Sequence, residues 1–373
     1  MLRRLSIFRS APLFLLLATA ASSQVQELYP GVWAGRDLSA LPLPVSGYEV
    51  YLLGEMHGVR ENEEVLLPYL ARLNAGTGLR DVAIEEDAVY QREAQAYVEG
   101  KSSAVPEPLC LRAGVLRAIR RLNEGRKGNE LIRVHLVDID TPATAIRQHL
   151  LTIKERVAGT KAVRVPDATN IKKQGLKTVG DLKRLTTNKQ ILGELRTVEH
   201  SIRAYQQGLE VGPRGFEGSP YLDDREQAIA SNIQDLLRDR DCRAILAFYG
   251  SDHVSRARRK DGGPKRDRDF APMALRLQEA GLRVFSLVAF PLSGRWRWRG
   301  YEGEMLWTAR EGSLAGGETL DRVLATAPEA TLFYVDRSQQ RIRLPSQDVN
   351  GFAVDAFLLL VNATALENRC AAP

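Results

Sequence analysis

The sequence predicts an α/β fold: a single domain whose largely parallel central sheet is covered by helices on both faces, with a helical insertion. Three observations predict it. Short, continuous apolar runs rich in strand formers recur along the chain. Amphipathic stretches at helical spacing separate them, the pattern of a sheet buried on both sides. With 373 residues, the length also suits one α/β unit as well as two average domains.

The elements follow in order. Val50 to Gly54 is the first apolar run, and residues 60–74 follow it with Val65, Leu66, Tyr69, Leu70 and Leu73 on one helical stripe. Asp81 to Glu85 reads as the second strand, with a helix to about Val98, and a further helix near Ala113–Leu122 precedes the third strand, Ile132 to Asp138. Arg243 to Tyr249, Arg283 to Ala289 and Ala356 to Val361 complete the set. Residues 159–210 break the rhythm, being rich in Lys, Thr and Gly, and are expected to form a helical insertion or cap. The Gly- and Pro-rich stretch from Gly208 to Pro220 reads as a loop, as does Arg256 to Arg268. In Arg295-Trp296-Arg297-Trp298-Arg299, period-two alternation suits a strand with one wet face.

The N-terminus has the three parts of a secretory leader: Arg3, Arg4 and Arg9, an apolar run from Ala11 to Ala20, and small residues to Ser23. The run is about half a bilayer span, so the expectation is a cleaved signal peptide over residues 1–23, no membrane span, and a periplasmic or secreted product. Without the leader the formal charge of +6 falls to about +3, 49 basic against 46 acidic residues. That balance singles out neither nucleic acid nor an anionic membrane as a partner. Cys110, Cys242 and Cys370 are too widely spaced for a zinc ribbon, and one disulfide with a spare thiol is compatible with an oxidising compartment.

Two of the five histidines share one context. Gly54-Glu55-Met56-His57 follows the first strand and Gly250-Ser251-Asp252-His253 the fourth. In open parallel sheets, ligand sites form beyond the carboxyl ends of the strands, and glycine lets backbone approach a bound molecule closely. Glu85 and Glu86 close the second strand, Asp138 and Asp140 the third. Carboxylates beside imidazoles orient a histidine, hold one tautomer and raise its basicity. Such a histidine can draw a proton from water and aim the nucleophile at an ester or amide carbonyl. The same atoms, two His and one Glu, also suit a divalent metal. Each acid has a plainer reading: Glu85-Glu86 as the start of a solvated helix, Asp138 and Asp140 as helix caps before Thr141-Pro142. His135 reads as a packing residue within a strand, His149 and His200 as surface residues of helices.

With these residues in hand, the chain resembles the erythromycin esterase-like and ChaN-like superfamily, which includes the TraB and Tiki proteins. Gly54-Glu55-Met56-His57-Gly58 is similar to the opening G-E-x-H-G of that superfamily, Glu85 to its second-strand glutamate, and Gly250 to His253 to its second G-x-x-H. The segment from Tyr221 to Ile233 resembles the R-D-x-x-M-A-x-N helix of the esterase branch, with Glu226 in place of Asp and Ile229 in place of Met. Val354 to Phe357, with Thr364-Ala365, resembles the terminal F-D-A…T-x-A strand, so the likeness spans about residues 48–365. The resemblance implies a hydrolase of an ester or related acyl bond. In it, His57 or His253 is the general base for water, Glu55 and Glu85 orient, and Arg225 steers a carboxylate or braces one of the acids. No cofactor is expected on this reading. The ChaN branch implies non-covalent haem, whose iron needs an accessible Tyr or His, for instance Tyr249 or Tyr221, with nothing in the sequence to single one out, and the Tiki branch a metal-dependent peptidase using His57, His253 and Glu55 or Glu85. A small-molecule substrate is the expected partner. The geometry to look for is His57 and His253 facing one site with Glu55, Glu85 and Arg225, one carboxyl of raised pKa beside another, the insertion flanking it, and His135, His149 and His200 outside.

Overall fold

The parallel strands of the central sheet alternate their side chains between two apolar layers, the period-two consequence of pleated backbone. Tyr51, Leu53, Leu246 and Phe248 enter one layer, while Val50, Leu52, Ile245, Ala247 and Tyr249 enter the other. The computed structural model describes residues 25–207, 222–238, 241–260, 269–298, 301–305, 312–344 and 351–366. The proposed leader, residues 1–23, and the Gly208–Pro220 stretch therefore lie outside the described residues.

Nine strands form the sheet: β1 (Gln26–Tyr29), β2 (Val32–Gly35), β3 (Val50–Glu55), β4 (Asp81–Asp87), β5 (Arg133–Asp138), β6 (Ile245–Gly250), β7 (Val284–Pro291), β8 (Leu332–Asp336) and β9 (Ala356–Leu360). Their spatial order is β1-β2-β8-β9-β7-β3-β6-β4-β5. The six strands from β9 to β5 are mutually parallel and are the six apolar runs of the sequence. β8 runs antiparallel to β9 and carries β2 and β1 as an antiparallel edge. Helices α1 (Arg60–Thr77), α2 (Gln91–Val98) and α3 (Ala113–Leu122) cover the first layer, and α7 (Leu222–Leu237) and α8 (Met273–Glu279) pack on the second.

The insertion starts earlier than its composition suggests. Helices α4 (Ala143–Arg156), α5 (Ile171–Arg184) and α6 (Lys189–Gln206) share an apolar cluster of their own, from Ile146 and Leu150 through Val179 and Leu182 to Val198 and Ile202. α4 follows β5 directly and precedes the Lys-, Thr- and Gly-rich stretch whose composition marks the insertion. Asn188 caps α6, its side chain accepting from the amides of Gln190 and Ile191. The Arg-Trp alternation forms a strand, Gly294–Trp298, paired in an antiparallel hairpin with Tyr301–Met305. Among the described residues no helix is long and apolar enough to cross a membrane. Cys110 is disulfide-bonded, and Cys242 is a buried thiol.

Candidate functional site

Parallel topology brings the carboxyl ends of β3, β4, β5 and β6 to one edge of the sheet. Glu55 lies opposite Gly250 in the β3–β6 register. The β4–β5 pairing loses register between Ile84 and Asp87, an irregularity that re-aims the intervening side chains, as bulges beside functional sites do. Glu85 and Glu86 fall in this interval and serve different partners.

Glu85 lies between the two imidazoles. Its Oε2 accepts from the Gly250 amide at 2.6 Å and lies 3.8 Å from His57 Nε2. Its Oε1 accepts from Arg225 Nη2 at 2.7 Å and lies 3.4 Å from His253 Nε2. Arg225 spans Glu85 and Asp138, donating to Asp138 from Nε at 2.9 Å and from Nη2 at 2.5 Å. His57 Nδ1 donates to Glu55 Oε1 at 2.9 Å. Glu55 is buried and also receives Arg112 Nη1, while Arg112 Nε lies 3.4 Å from Glu86. His253 Nδ1 stands 2.5 Å from Glu226 Oε1, a charge contact whose alignment falls short of a good hydrogen bond. Glu226 is wholly buried and held by the Met273 amide, 2.6 Å from its Oε2.

Both motif glycines are explained by this crowding. A Cβ on Gly250 would lie 3.2 Å from His57 Nε2 and 3.3 Å from Glu85 Oε2. A Cβ on Gly54 would lie 2.5 Å from Val254 Cγ2. At Gly54 the Val254 side chain passes too close for a Cβ, and at Gly250 the imidazole and the carboxylate would have to give by a few tenths of an ångström.

The electrostatics differ from expectation. Burial works to raise the pKa of both Glu55 and Glu85, yet both end below the ordinary carboxylate range. Arg112 and His57 hold Glu55 down, and His253, His57 and Arg225 hold Glu85 well down. Neither is the proton-carrying carboxyl that two neighbouring acids suggested, because each acid has its own cation. The proton sits on His253. Burial opposes its charge, but Glu226 and then Glu85 outweigh burial and Arg225 and push its pKa to about 10. His57 is different in exposure: a third of its side chain is open, against 8% for His253.

The five predicted residues thus meet at one place, and three others join them. Asp138 had been noticed as a strand-end acid, and Glu226 as a departure within the helix motif. Arg112 carried no signal at all, since nothing local distinguishes one arginine among many. The nearby acid with a raised pKa is Asp87, pushed up by burial and then by Asp140, Glu86 and Asp138; burial also raises Asp355, just before β9. His149 is not a surface residue: it is buried with its Nδ1 2.7 Å from Asp140 Oδ2, and Asp140 also accepts from the Val89 amide. Asp140 is therefore not the cap of α4. His200 is mostly buried too, 3.8 Å from Asp224. Helical spacing could not show that α4 and α6 have a second packed face. His135 does pack within β5, its Nε2 2.8 Å from Asp81 at the far end of the strands. The insertion flanks the site through Ala204 of α6, which packs with Ala228 of α7.

A cavity of about 620 Å³ opens at the opposite, amino-terminal edge of the strands, beside Asp81, Arg126, Asp241 and Arg243. Both motif histidines and their acids gather instead at the carboxyl edge. For a divalent metal the acids are already engaged: Arg112 on Glu55 and Arg225 on Glu85 occupy the carboxylates such an ion needs. Among the described residues no group of three His, Cys, Asp or Glu side chains is arranged to hold a metal ion.

Three solved structures share this architecture over most of their length. An erythromycin esterase, EreC, solved as a histidine-to-asparagine variant in its open conformation, is 13% identical, with 87% of this chain and 93% of that chain aligned at a TM-score of 0.59. The chain has the erythromycin esterase fold. A Bacillus cereus protein is 14% identical over 86% of this chain and 90% of its own, TM-score 0.59. A succinoglycan biosynthesis protein is 10% identical over 86% and 89%, TM-score 0.62. At these identities the likeness is one of fold. No protein-family model matches the sequence, and no curated protein matches it.

Proposed function

We propose that this chain is an exported hydrolase of an ester or related acyl bond, acting through histidine-activated water. The observation that carries the reading is the pose of His57. With Nδ1–H donating to Glu55, the tautomer leaves Nε2 as the basic nitrogen, and the ring is the exposed one of the pair. Nε2 and Glu85 Oε2 are 3.8 Å apart, too far for a direct hydrogen bond. A single water can lie about 2.8 Å from both.

In this scheme His57 takes a proton from that water as its oxygen bonds to the substrate carbonyl carbon. Glu55 steadies the imidazolium that forms. Collapse of the tetrahedral intermediate breaks the bond to the leaving oxygen, and His57 returns the proton to it, giving acid and alcohol. Glu85 remains an anion throughout, held by Arg225 and His253, and serves to position water. The protonated His253 and the two guanidiniums offset the charge of the surrounding carboxylates, easing the development of an oxyanion beside them. No G-x-S-x-G elbow is present in the sequence, and the scheme needs no acyl-enzyme.

The test is a panel of aryl and alkyl esters, lactones and peptides, with wild type compared with His57→Ala and His253→Ala. Turnover by the wild type that falls at least a hundredfold in His57→Ala supports the reading; equal turnover in all three refutes it. A haemin titration belongs beside it. Tyr249, one of the two tyrosines considered as a haem ligand, is wholly buried, and Tyr221 lies outside the described residues. Saturable haemin binding with no ester turnover would replace the hydrolase by a haem carrier.

A further inference from the structure

The near-neutral balance of the whole chain conceals a strong asymmetry. Residues 143–206, the three-helix insertion, hold thirteen Lys or Arg against five Asp or Glu, a net of +8. The whole chain carries +6, so everything outside the insertion is net negative by two. Part of this charge is internally paired: Lys183 with Glu199, Arg184 with Asp181, Arg156 with Glu194. Arg203 with Glu199 and Arg147 with Asp167 are internal pairs as well, and Arg196 reaches Asp235 of α7. Lys161, Arg164, Lys173, Lys177 and Lys189 are exposed and have no carboxylate partner among the described residues.

The cations have an address on the helix. Ile171, Gly175, Thr178, Val179 and Leu182 are the buried side of α5. Lys173, Lys177 and Arg184, spaced by four and seven residues, fall on the opposite stripe at 3.6 residues per turn. The turn that follows carries Leu185, 42% exposed and the one exposed large hydrophobic among the described residues. It is flanked by Lys183 and Arg184 on one side and Lys189 on the other. Leu185 lies outside the apolar cluster that the three helices share, and its exposed part costs solubility. Basic side chains around a protruding apolar one are the combination that a negatively charged bilayer surface rewards.

We propose that this face of the insertion docks on an anionic lipid surface, the lysine stripe of α5 over the headgroups and Leu185 entering the acyl boundary. A nucleic acid would use the same cations, but it has no use for a protruding leucine. The candidate site lies at the other end of α6, whose 18 residues span about 27 Å. Tip variants therefore leave Glu55, His57, Glu85 and His253 in place, and the inference does not depend on the hydrolase reading.

The experiment is co-sedimentation of the mature chain with vesicles of phosphatidylglycerol in phosphatidylcholine and with vesicles of phosphatidylcholine alone. The expected result is at least tenfold tighter binding to the anionic vesicles, weakening as salt rises. Each surface cation contributes roughly fivefold, so Lys173→Glu with Lys177→Glu should cost roughly twenty-five-fold or more. Leu185→Ser should weaken binding several-fold at every salt concentration, since its contribution is not screened. Unchanged thermal midpoints show that these exposed substitutions leave the fold intact. Equal binding to both vesicle types overturns the proposal, as does anionic-vesicle binding that survives the double charge reversal or is indifferent to Leu185→Ser. A chain that retains a DNA duplex while ignoring both vesicles overturns it as well.

Discussion

Replacing Glu226 by glutamine removes one charge and almost nothing else. The side chain is wholly buried, and the amide oxygen of glutamine can still accept from the Met273 amide now bound to Oε2. What is lost is the charge 2.5 Å from His253 Nδ1. That carboxylate is the first of the groups that raise the His253 pKa to about 10, with Glu85 following and burial and Arg225 opposing. Against an ordinary histidine value of about 6.5, the whole shift corresponds to roughly 5 kcal/mol at about 1.4 kcal/mol per pKa unit. Removing one partner of a buried pair costs about 3–5 kcal/mol, so a loss of about 3 kcal/mol is expected near neutral pH. The sign with pH follows from the direction of the shift. A folded pKa above the unfolded one stabilises fully below about pH 6.5 and ceases to do so as pH rises through about 10. Urea unfolding of wild type and Glu226→Gln at pH 6 and at pH 10 should therefore show a large gap at the lower pH that narrows at the higher. A histidine NMR titration should move the His253 resonance from near pH 10 toward or below its ordinary range. Equal stabilities at pH 6, or a His253 resonance in the wild type that titrates near 6.5, would refute the assignment of the proton to this residue.

Three further outcomes are expected. Gly250→Ala places a Cβ 3.2 Å from His57 Nε2 and 3.3 Å from Glu85 Oε2; ester turnover should fall at least tenfold while circular dichroism stays unchanged, and wild-type turnover would show that the close approach is immaterial. Arg112→Met leaves Glu55 buried without its guanidinium, which should cost about 3 kcal/mol and raise the Glu55 pKa. Because lowered carboxyl pKa values stabilise above the unfolded value and lose this as pH falls through the folded one, acid unfolding of this variant should begin at higher pH than in wild type. His149→Ala strands Asp140, which now faces an imidazole at 2.7 Å; hydrogen exchange should quicken across residues 143–206 and not in β3 or β6, and uniform quickening would mean that the insertion is not a separable unit.

Much of the fold was legible because its signal is local. The six apolar runs from Val50 to Val361 are the six parallel strands, and each needs only its own composition to be a strand between helices. The site was partly legible for the same reason: a glycine, an acid and a histidine at a strand end form a short pattern, and two copies of it stand out. Glu55, His57 and His253 were legible that way and Glu85 as a strand-end acid, whereas Arg225 came only from the resemblance of the Tyr221–Ile233 segment to a family helix. Arg112 was not legible, because its role is set by where its segment lies against Glu55 and by nothing adjacent to it in sequence. His149 and His200 were misread as surface residues because a helical stripe shows which positions face the first neighbour and says nothing of a second.

Sequence alone determined the six parallel strands and the edge at which the motif histidines end, since these follow from periodicity and from chain connectivity; the antiparallel edge of β1, β2 and β8 it did not show. Which carboxylate pairs with which cation was decided only by the tertiary structure. Proton affinity depends on burial and on charges a few ångströms away, and those charges come from residues such as Arg112, Arg225 and Glu226 that are far off along the chain. The two acids expected to share a proton each meet an arginine, and the proton resides on His253, because a buried imidazole against Glu226 holds it more tightly than either carboxylate against a guanidinium.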